Sequence, residues 1–176
     1  RVKDVMDQLV ASGEACEMII VSPNAGGNPA TCWNGYFNMP GLAYEDFFYK
    51  EFLPYIEKTY RVKGDKRHRA IAGLSMGGGG TTSYAQRYPD MYCAAYAMSA
   101  LMNIPVSGEE VGKDPDPTNK MAVLTRSVQE HSCIRYVVEA DDARKAQLRT
   151  VQWFVDCGDD DFLLDRNIEF FQAMRN

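Results

Sequence analysis

Imidazole is scarce in this sequence: its 176 residues hold two histidines, His68 and His131. The five cysteines (Cys16, Cys32, Cys93, Cys133 and Cys157) are scattered and include no C-x-x-C pair, which argues against a zinc site or a dense disulfide framework. Their odd number leaves at least one thiol unpaired within the chain, and Cys16, Cys93 and Cys157, in or beside apolar runs, read as buried structural thiols. Positive charge is in the minority, 19 Lys and Arg against 24 Asp and Glu, for a net charge of −5. So acidic a chain is a poor match for phosphate backbones or anionic bilayers, so neither nucleic acid nor a membrane is expected as a partner. The longest aliphatic or Met stretch, Met18-Ile19-Ile20-Val21, is far short of the roughly 20 apolar residues of a membrane helix. A charged, apolar and small-residue export signal is also lacking, and Arg1 stands where an initiator Met would be. What is present, 45% apolar and 24% charged residues, is the composition of one globular domain with a sizeable core.

The chain alternates between helical and strand-like patterns. Val2, Val5, Met6, Leu9 and Val10 follow helical spacing, with Gly13 as a stop. Residues 17–22 (EMIIVS) read as a buried strand ended by Pro23-Asn24. A Gly-, Asn- and Pro-rich stretch to Pro40 carries Trp33, Tyr36 and Phe37, which with Tyr44 are candidates to line a sugar or aromatic-acyl site or simply to pack. A helix over 44–60 should be bent or divided by Pro54. Further strands are expected at 69–74 (RAIAGL), 93–98 (CAAYAM) and 151–156 (VQWFVD), with a helix over 77–88 that must finish before Pro89. The proline-bearing stretch from 99 and the polar, periodic stretch to about 147 read as a loop and helical insertion, around 100–149. A last helix buries a face of Leu164, Ile168, Phe171 and Met174. Strands separated by helices give an α/β fold with a mostly parallel sheet flanked by helices, in a single domain over 1–176.

One segment carries a chemical signature. Gly73-Leu74-Ser75-Met76-Gly77 fits G-x-S-x-G, the nucleophile elbow. A serine on a sharp strand-to-helix turn needs a strained backbone, and glycine on both flanks removes the collisions that the turn would create. The turn projects the hydroxyl above the sheet, the Met76 N–H points where an oxyanion would form, and the helix start favours that charge. Chance places the pattern in roughly one chain in ten of this length, but an apolar strand directly before it and a helix directly after supply the required context. A phosphate-binding role for the glycines lacks the G-K-[ST] or G-x-G-x-x-G that it would need.

Ala70-Ile71-Ala72-Gly73-Leu74-Ser75-Met76-Gly77-Gly78 resembles the esterase D-like branch of the α/β-hydrolases, which includes feruloyl and acetyl xylan esterases, S-formylglutathione hydrolases, enterochelin esterases and mycolyltransferases. Ile20-Val21-Ser22-Pro23-Asn24, the helix over 48–61 with Glu51 and Pro54-Tyr55-Ile56, and the stretch 156–163 (DCGDDDFL) look like the same branch. The resemblance implies Ser75 as nucleophile, Met76 as an oxyanion donor and Gly73 and Gly77 as elbow glycines. It also implies an acid in a G-x-x-D-x-L segment, which Gly158, Asp161 and Leu163 match. Asp159 and Asp160 are adjacent, so sequence alone leaves a shift of one or two residues open. No metal or organic cofactor is implied.

The base is the missing part. His68 begins the strand whose far end delivers Ser75, about 20 Å away at ~3.3 Å per residue, and His131 lies in the inserted segment. In the branch the base sits in a G-H-x-x-x-W-like segment after one further strand, and that segment does not occur here. The branch's first strands are likewise not found before the first helix, so the sequence is expected to be a piece truncated at both ends. The resemblance implies a serine carboxylesterase, with a feruloyl or acetyl ester of plant cell-wall carbohydrate as the expected substrate and a secreted or periplasmic location, a cytoplasmic one remaining open. Two alternatives stand beside it: S-formylglutathione hydrolysis or acyl transfer on the same scaffold, and a non-catalytic carbohydrate-binding or scaffold domain.

Overall fold

The computed structural model describes residues 2–24, 36–39, 41–102 and 115–175. Helix α1 (Val2–Ala11) stops just before Gly13, where φ is +78°, and leaves Val2 and Val5 exposed. Residues 17–22 depart from expectation. They form no strand, and Met18, Ile19, Ile20 and Val21 are each 40% exposed or more. Four consecutive apolar side chains signal a segment suited to burial, but a strand exists only through its ladder, and among the described residues none pairs with it.

Strands β1 (Asn38–Met39) and β2 (Leu42–Ala43) make a small antiparallel hairpin. Helix α2 (Tyr44–Phe47) runs into a π-helical turn at Phe48–Phe52 and then α3 (Leu53–Thr59). Pro54 does not break the expected helix: the backbone stays helical at Phe47, Phe52 and Leu53, and the π-helical turn lies directly before the residue that lacks an N–H.

The site rests on the remaining elements: β3 (Ala70–Leu74), α4 (Met76–Arg87), β4 (Ala94–Met98), α5 (Lys120–Glu130), α6 (Cys133–Val138), α7 (Asp142–Leu148), β5 (Gln152–Asp156) and α8 (Leu164–Arg175). The strands lie in the order β3-β4-β5, all parallel, with Leu74 opposite Met98 and Met98 opposite Asp156. Their C-terminal ends therefore finish level at one edge, the place where open parallel sheets carry their ligands.

Alternation along the strands sends Ala95, Ala97, Trp153 and Val155 toward the helices, where they pack with Met102, Cys133, Val137, Leu148 and Phe170 or with Tyr84, Ala85, Tyr92 and Val151. Leu74, Tyr96 and Phe154 on the other face are exposed. Two expectations change here. Cys133 is the fully buried thiol, whereas Cys16 is exposed and Cys93 and Cys157 are half-buried; Cys32 lies outside the described residues. The face of α8 is also rotated: Ile168 and Phe171 are exposed, and the buried stripe runs through Leu163, Asn167 and Phe170. An amide at the centre of that stripe is what misdirects a reading by apolar spacing.

Candidate active site

Ser75 occupies the single residue between β3 and α4, with φ 57° and ψ −116°. A non-glycine residue there is strained by about 1–3 kcal/mol and persists only where its surroundings fix it. They do so from both sides: the Ser75 N–H donates to Met98 O at 2.9 Å, extending the parallel ladder, and the Ser75 carbonyl accepts from Leu101 N at 2.9 Å and Gly79 N at 3.2 Å. The Ser75 side chain is exposed and makes no capping bond to its own helix. Met76 is the first residue of α4, so its N–H belongs to the unpaired amides of a helix start.

The two flanking glycines meet different surroundings. A Cβ on Gly73 would lie 2.2 Å from the Gly77 carbonyl oxygen, whereas one on Gly77 would find only the Tyr36 hydroxyl at 3.3 Å. Tyr36, itself at φ 69°, lays its ring against Gly80 and its hydroxyl over Gly77, and its carbonyl accepts from Tyr84 OH at 2.5 Å. Burial pushes the Tyr36 phenol pKa up, so the hydroxyl is a neutral donor at the first turn of α4.

Asp161 follows the C-terminal end of β5, five residues past Asp156, and β3 ends at the same edge of the sheet just before Ser75. Its Oδ1 accepts from Leu163 N at 2.9 Å and its N–H donates to Gly158 O at 3.2 Å, which fixes a half-buried carboxylate in a tight turn. Asp159 and Asp160 are exposed.

Neither histidine faces Ser75. His68 sits at the opposite end of β3, in the 3-10 turn Lys66–His68, with Nδ1 2.8 Å from Asp65. His131 stacks on Phe37 at 3.9 Å, and its Nδ1 lies 2.6 Å from Ser127 O, which can only accept, so Nδ1 carries the proton. Its Nε2 is turned toward the buried Glu45 carboxylate at 3.8 Å, which also meets Arg87 Nε at 3.2 Å and the Tyr88 hydroxyl at 2.9 Å. Both partners belong to the far end of α4, roughly 18 Å from Ser75 at 1.5 Å per residue. Burial holds the His131 pKa below its ordinary value despite Glu45, and the long 3.8 Å contact agrees with a neutral ring. Of the aromatic candidates, Phe37 and Tyr44 are buried packing residues, Tyr36 stands beside the elbow, and Trp33 lies outside the described residues.

No sequence motif marks Ser99, at φ 40°, or Asn167. The available signal was a lone amide at helical spacing between Leu163 and Phe170. Among the described residues no group of His, Cys, Asp and Glu is arranged to hold a metal ion, and no helix there is long and apolar enough to cross a membrane.

Residues 1–173 match the model of a family described as putative esterase. A solved ferulic acid esterase is 74% identical, with a TM-score of 0.89, over 99% of this chain and 65% of that one. The endo-1,4-beta-xylanase/feruloyl esterase of Xylanibacter ruminicola is 33% identical over 88 residues, 50% of this chain and 12% of its own length. An esterase of Mycobacterium tuberculosis is 34% identical over 87 residues, 47% of this chain and 18% of its own. S-formylglutathione hydrolase of Staphylococcus aureus shares the fold at a TM-score of 0.59 and 22% identity, over 82% of this chain and 57% of that one. The chain thus spans less than two thirds of the length of each of these relatives.

Proposed function

The chain belongs to the esterase family, and from that premise we propose that it is a serine carboxylesterase acting on feruloyl-type esters of plant cell-wall carbohydrate. The Ser75 Oγ attacks the ester carbonyl, and the bond to the sugar oxygen breaks with a proton delivered to that oxygen. The acyl group stays on Ser75 until water releases it as the free acid and restores the hydroxyl. The Met76 N–H and the positive end of α4 stabilise the oxyanion of each tetrahedral intermediate. Asp161 orients the base. Both histidines of the sequence are turned elsewhere, so the base is a histidine outside these 176 residues, placed between the ends of β3 and β5.

The observation that carries this reading is the strained Ser75 backbone at the strand-to-helix junction, with its side chain exposed. A domain that merely bound carbohydrate would have no use for that strain. The feruloyl preference is supported by the ferulic acid esterase relative and by Tyr36, a neutral phenol beside the first turn of α4 against which an aromatic acyl group can pack. The S-formylglutathione hydrolase, at 22% identity, supports the fold alone. Because the polymer that bears such esters lies outside cells, the reading places the protein outside the cytoplasm.

The test is turnover by the full-length protein of methyl ferulate, feruloylated arabinoxylan oligosaccharide, acetylated xylan and S-formylglutathione. Feruloyl substrates are expected to lead in kcat/KM, and Ser75→Ala is expected to remove at least about three orders of magnitude. Turnover that survives Ser75→Ala ends the serine mechanism; a lead by acetyl or thioester substrates ends the feruloyl assignment.

A further inference from the structure

Asn167 is 3% exposed, and every polar hydrogen and its oxygen are engaged. Its Oδ1 accepts from Ala100 N at 3.2 Å, while Nδ2 donates to Ala100 O and to Leu163 O, both at 2.9 Å. The two backbones it grips each hold one member of the candidate site. The residue after Ala100, Leu101, donates to the Ser75 carbonyl, and the residue before it, Ser99, is held at φ 40° with its N–H on Asp156 O at 2.8 Å. The N–H of Leu163 donates to the Asp161 carboxylate. One buried amide therefore spans the 67 residues from Ala100 to Asn167 and joins the strap behind the nucleophile to the turn that carries the acid.

We propose that Asn167 is a positioning residue that keeps the Ser75 elbow and the Asp161 turn in mutual register; this rests on the assignment of Ser75 and Asp161 above. An apolar side chain fills the same space but leaves the Ala100 N–H and carbonyl without their partner, and the Leu163 carbonyl with the Asn167 backbone N–H alone, so the side-chain tie between strap and turn is lost. Aspartate keeps the acceptor for Ala100 N and the shape, but has no donor for the two carbonyls when ionised.

The experiment uses Asn167→Leu and Asn167→Asp in the full-length protein, with Phe170→Leu on the same helix as a control for lost core packing. Steady-state kinetics on methyl ferulate are combined with amide hydrogen exchange at Leu101 and Leu163, whose N–H groups bond to Ser75 O and Asp161 Oδ1 and not to the Asn167 side chain, and at Tyr88 as a reference. In both Asn167 variants kcat is expected to fall about 30-fold or more with KM within about twofold, as a sub-ångström loss of alignment gives. Exchange at Leu101 and Leu163 is expected to accelerate together, relative to Tyr88. Phe170→Leu is expected to move all three amides in parallel. If the Asn167 variants behave as Phe170→Leu does, or if Leu101 and Leu163 keep their protection, Asn167 is a packing residue and the proposal falls. Should wild-type protein show no Ser75-dependent turnover, the esterase reading fails by itself, and the exchange data still decide whether Asn167 couples the two segments.

Discussion

Gly73→Ala and Gly77→Ala alter the two glycines of one motif, yet their consequences should differ widely. At Gly73 the new methyl would lie 2.2 Å from the Gly77 carbonyl oxygen and 2.4 Å from its carbon. Those atoms belong to the first turn of α4, so no rotamer change relieves the contact. Gly73 is itself fixed in the parallel ladder opposite Ala97. Ordinary contact lies at about 3.4 Å or beyond, so strand and helix must separate by about 1 Å, a displacement delivered directly to Ser75. Overpacking of this kind destabilises by about 1–3 kcal/mol, and a misplacement of about 1 Å at a reacting group costs on the order of 100-fold in rate.

At Gly77 the nearest atom to a new methyl is the Tyr36 hydroxyl at 3.3 Å, the end of a side chain that can yield by a few tenths of an ångström. Alanine in a helix is favoured over glycine by about 1 kcal/mol, so Gly77→Ala is expected to be neutral or slightly stabilising. Thermal unfolding of both variants, with the rate of Ser75 labelling by a fluorophosphonate, measures the contrast. Equal damage from the two substitutions, or wild-type labelling in Gly73→Ala, would refute the view that the strand–helix contact at Gly73 sets the nucleophile's position.

Ser75→Gly should abolish turnover while raising stability by about 1 kcal/mol, because the φ of 57° ceases to be strained; unchanged or lower thermal stability would count against the strain. Asp161→Asn should lower kcat by up to about four orders of magnitude, with Asp159→Asn and Asp160→Asn close to wild type; the reverse ranking moves the acid along the turn. The His131 pKa is depressed, first by burial, with Arg87 acting in the same direction and the Ser127 carbonyl, Glu45 and Glu130 opposing. The unfolded chain therefore binds a proton that the folded one refuses, and stability is lost as pH falls below about 6.5 toward the folded value. Denaturant unfolding between pH 7 and 5 should show this slope, and His131→Gln should flatten it.

Much of the sheet was legible because its signals are local. The runs at 70–74, 94–98 and 152–156 are short, apolar and bounded by turns or helices, and the elbow is written in five consecutive residues. What escaped depends on distant partners. Residues 17–22 carry the composition of a strand, but composition does not name a neighbour to pair with. The buried face of α8 is centred on Asn167, whose reason for burial is the backbone of Ala100, 67 positions away. The His131 ring is held partly by the Ser127 carbonyl one helical turn before it, but its remaining partners, Glu45 and Phe37, lie far back in the chain and nothing near His131 announces them.

The run of glycines that opens α4 makes sense on the same terms. Each glycine in a helix interior sacrifices about 1 kcal/mol relative to alanine. At Gly79 a Cβ would meet the Leu101 carbonyl oxygen at 2.2 Å, and at Gly78 the Ala100 Cβ at 2.7 Å. Only a bare helix surface lets the strap at 99–101 come so near, and only from there can the Leu101 N–H reach the Ser75 carbonyl at 2.9 Å. The helix surrenders intrinsic stability at its start so that a second segment can lie against it and hold one serine in a conformation it would not adopt unaided. Filling Gly79 with alanine should therefore weaken that grip even though it improves helix propensity. The expected signature is faster exchange of the Leu101 amide and a lower kcat in a chain whose isolated α4 peptide is more helical; a gain in both stability and turnover would mean that the strap does not hold Ser75.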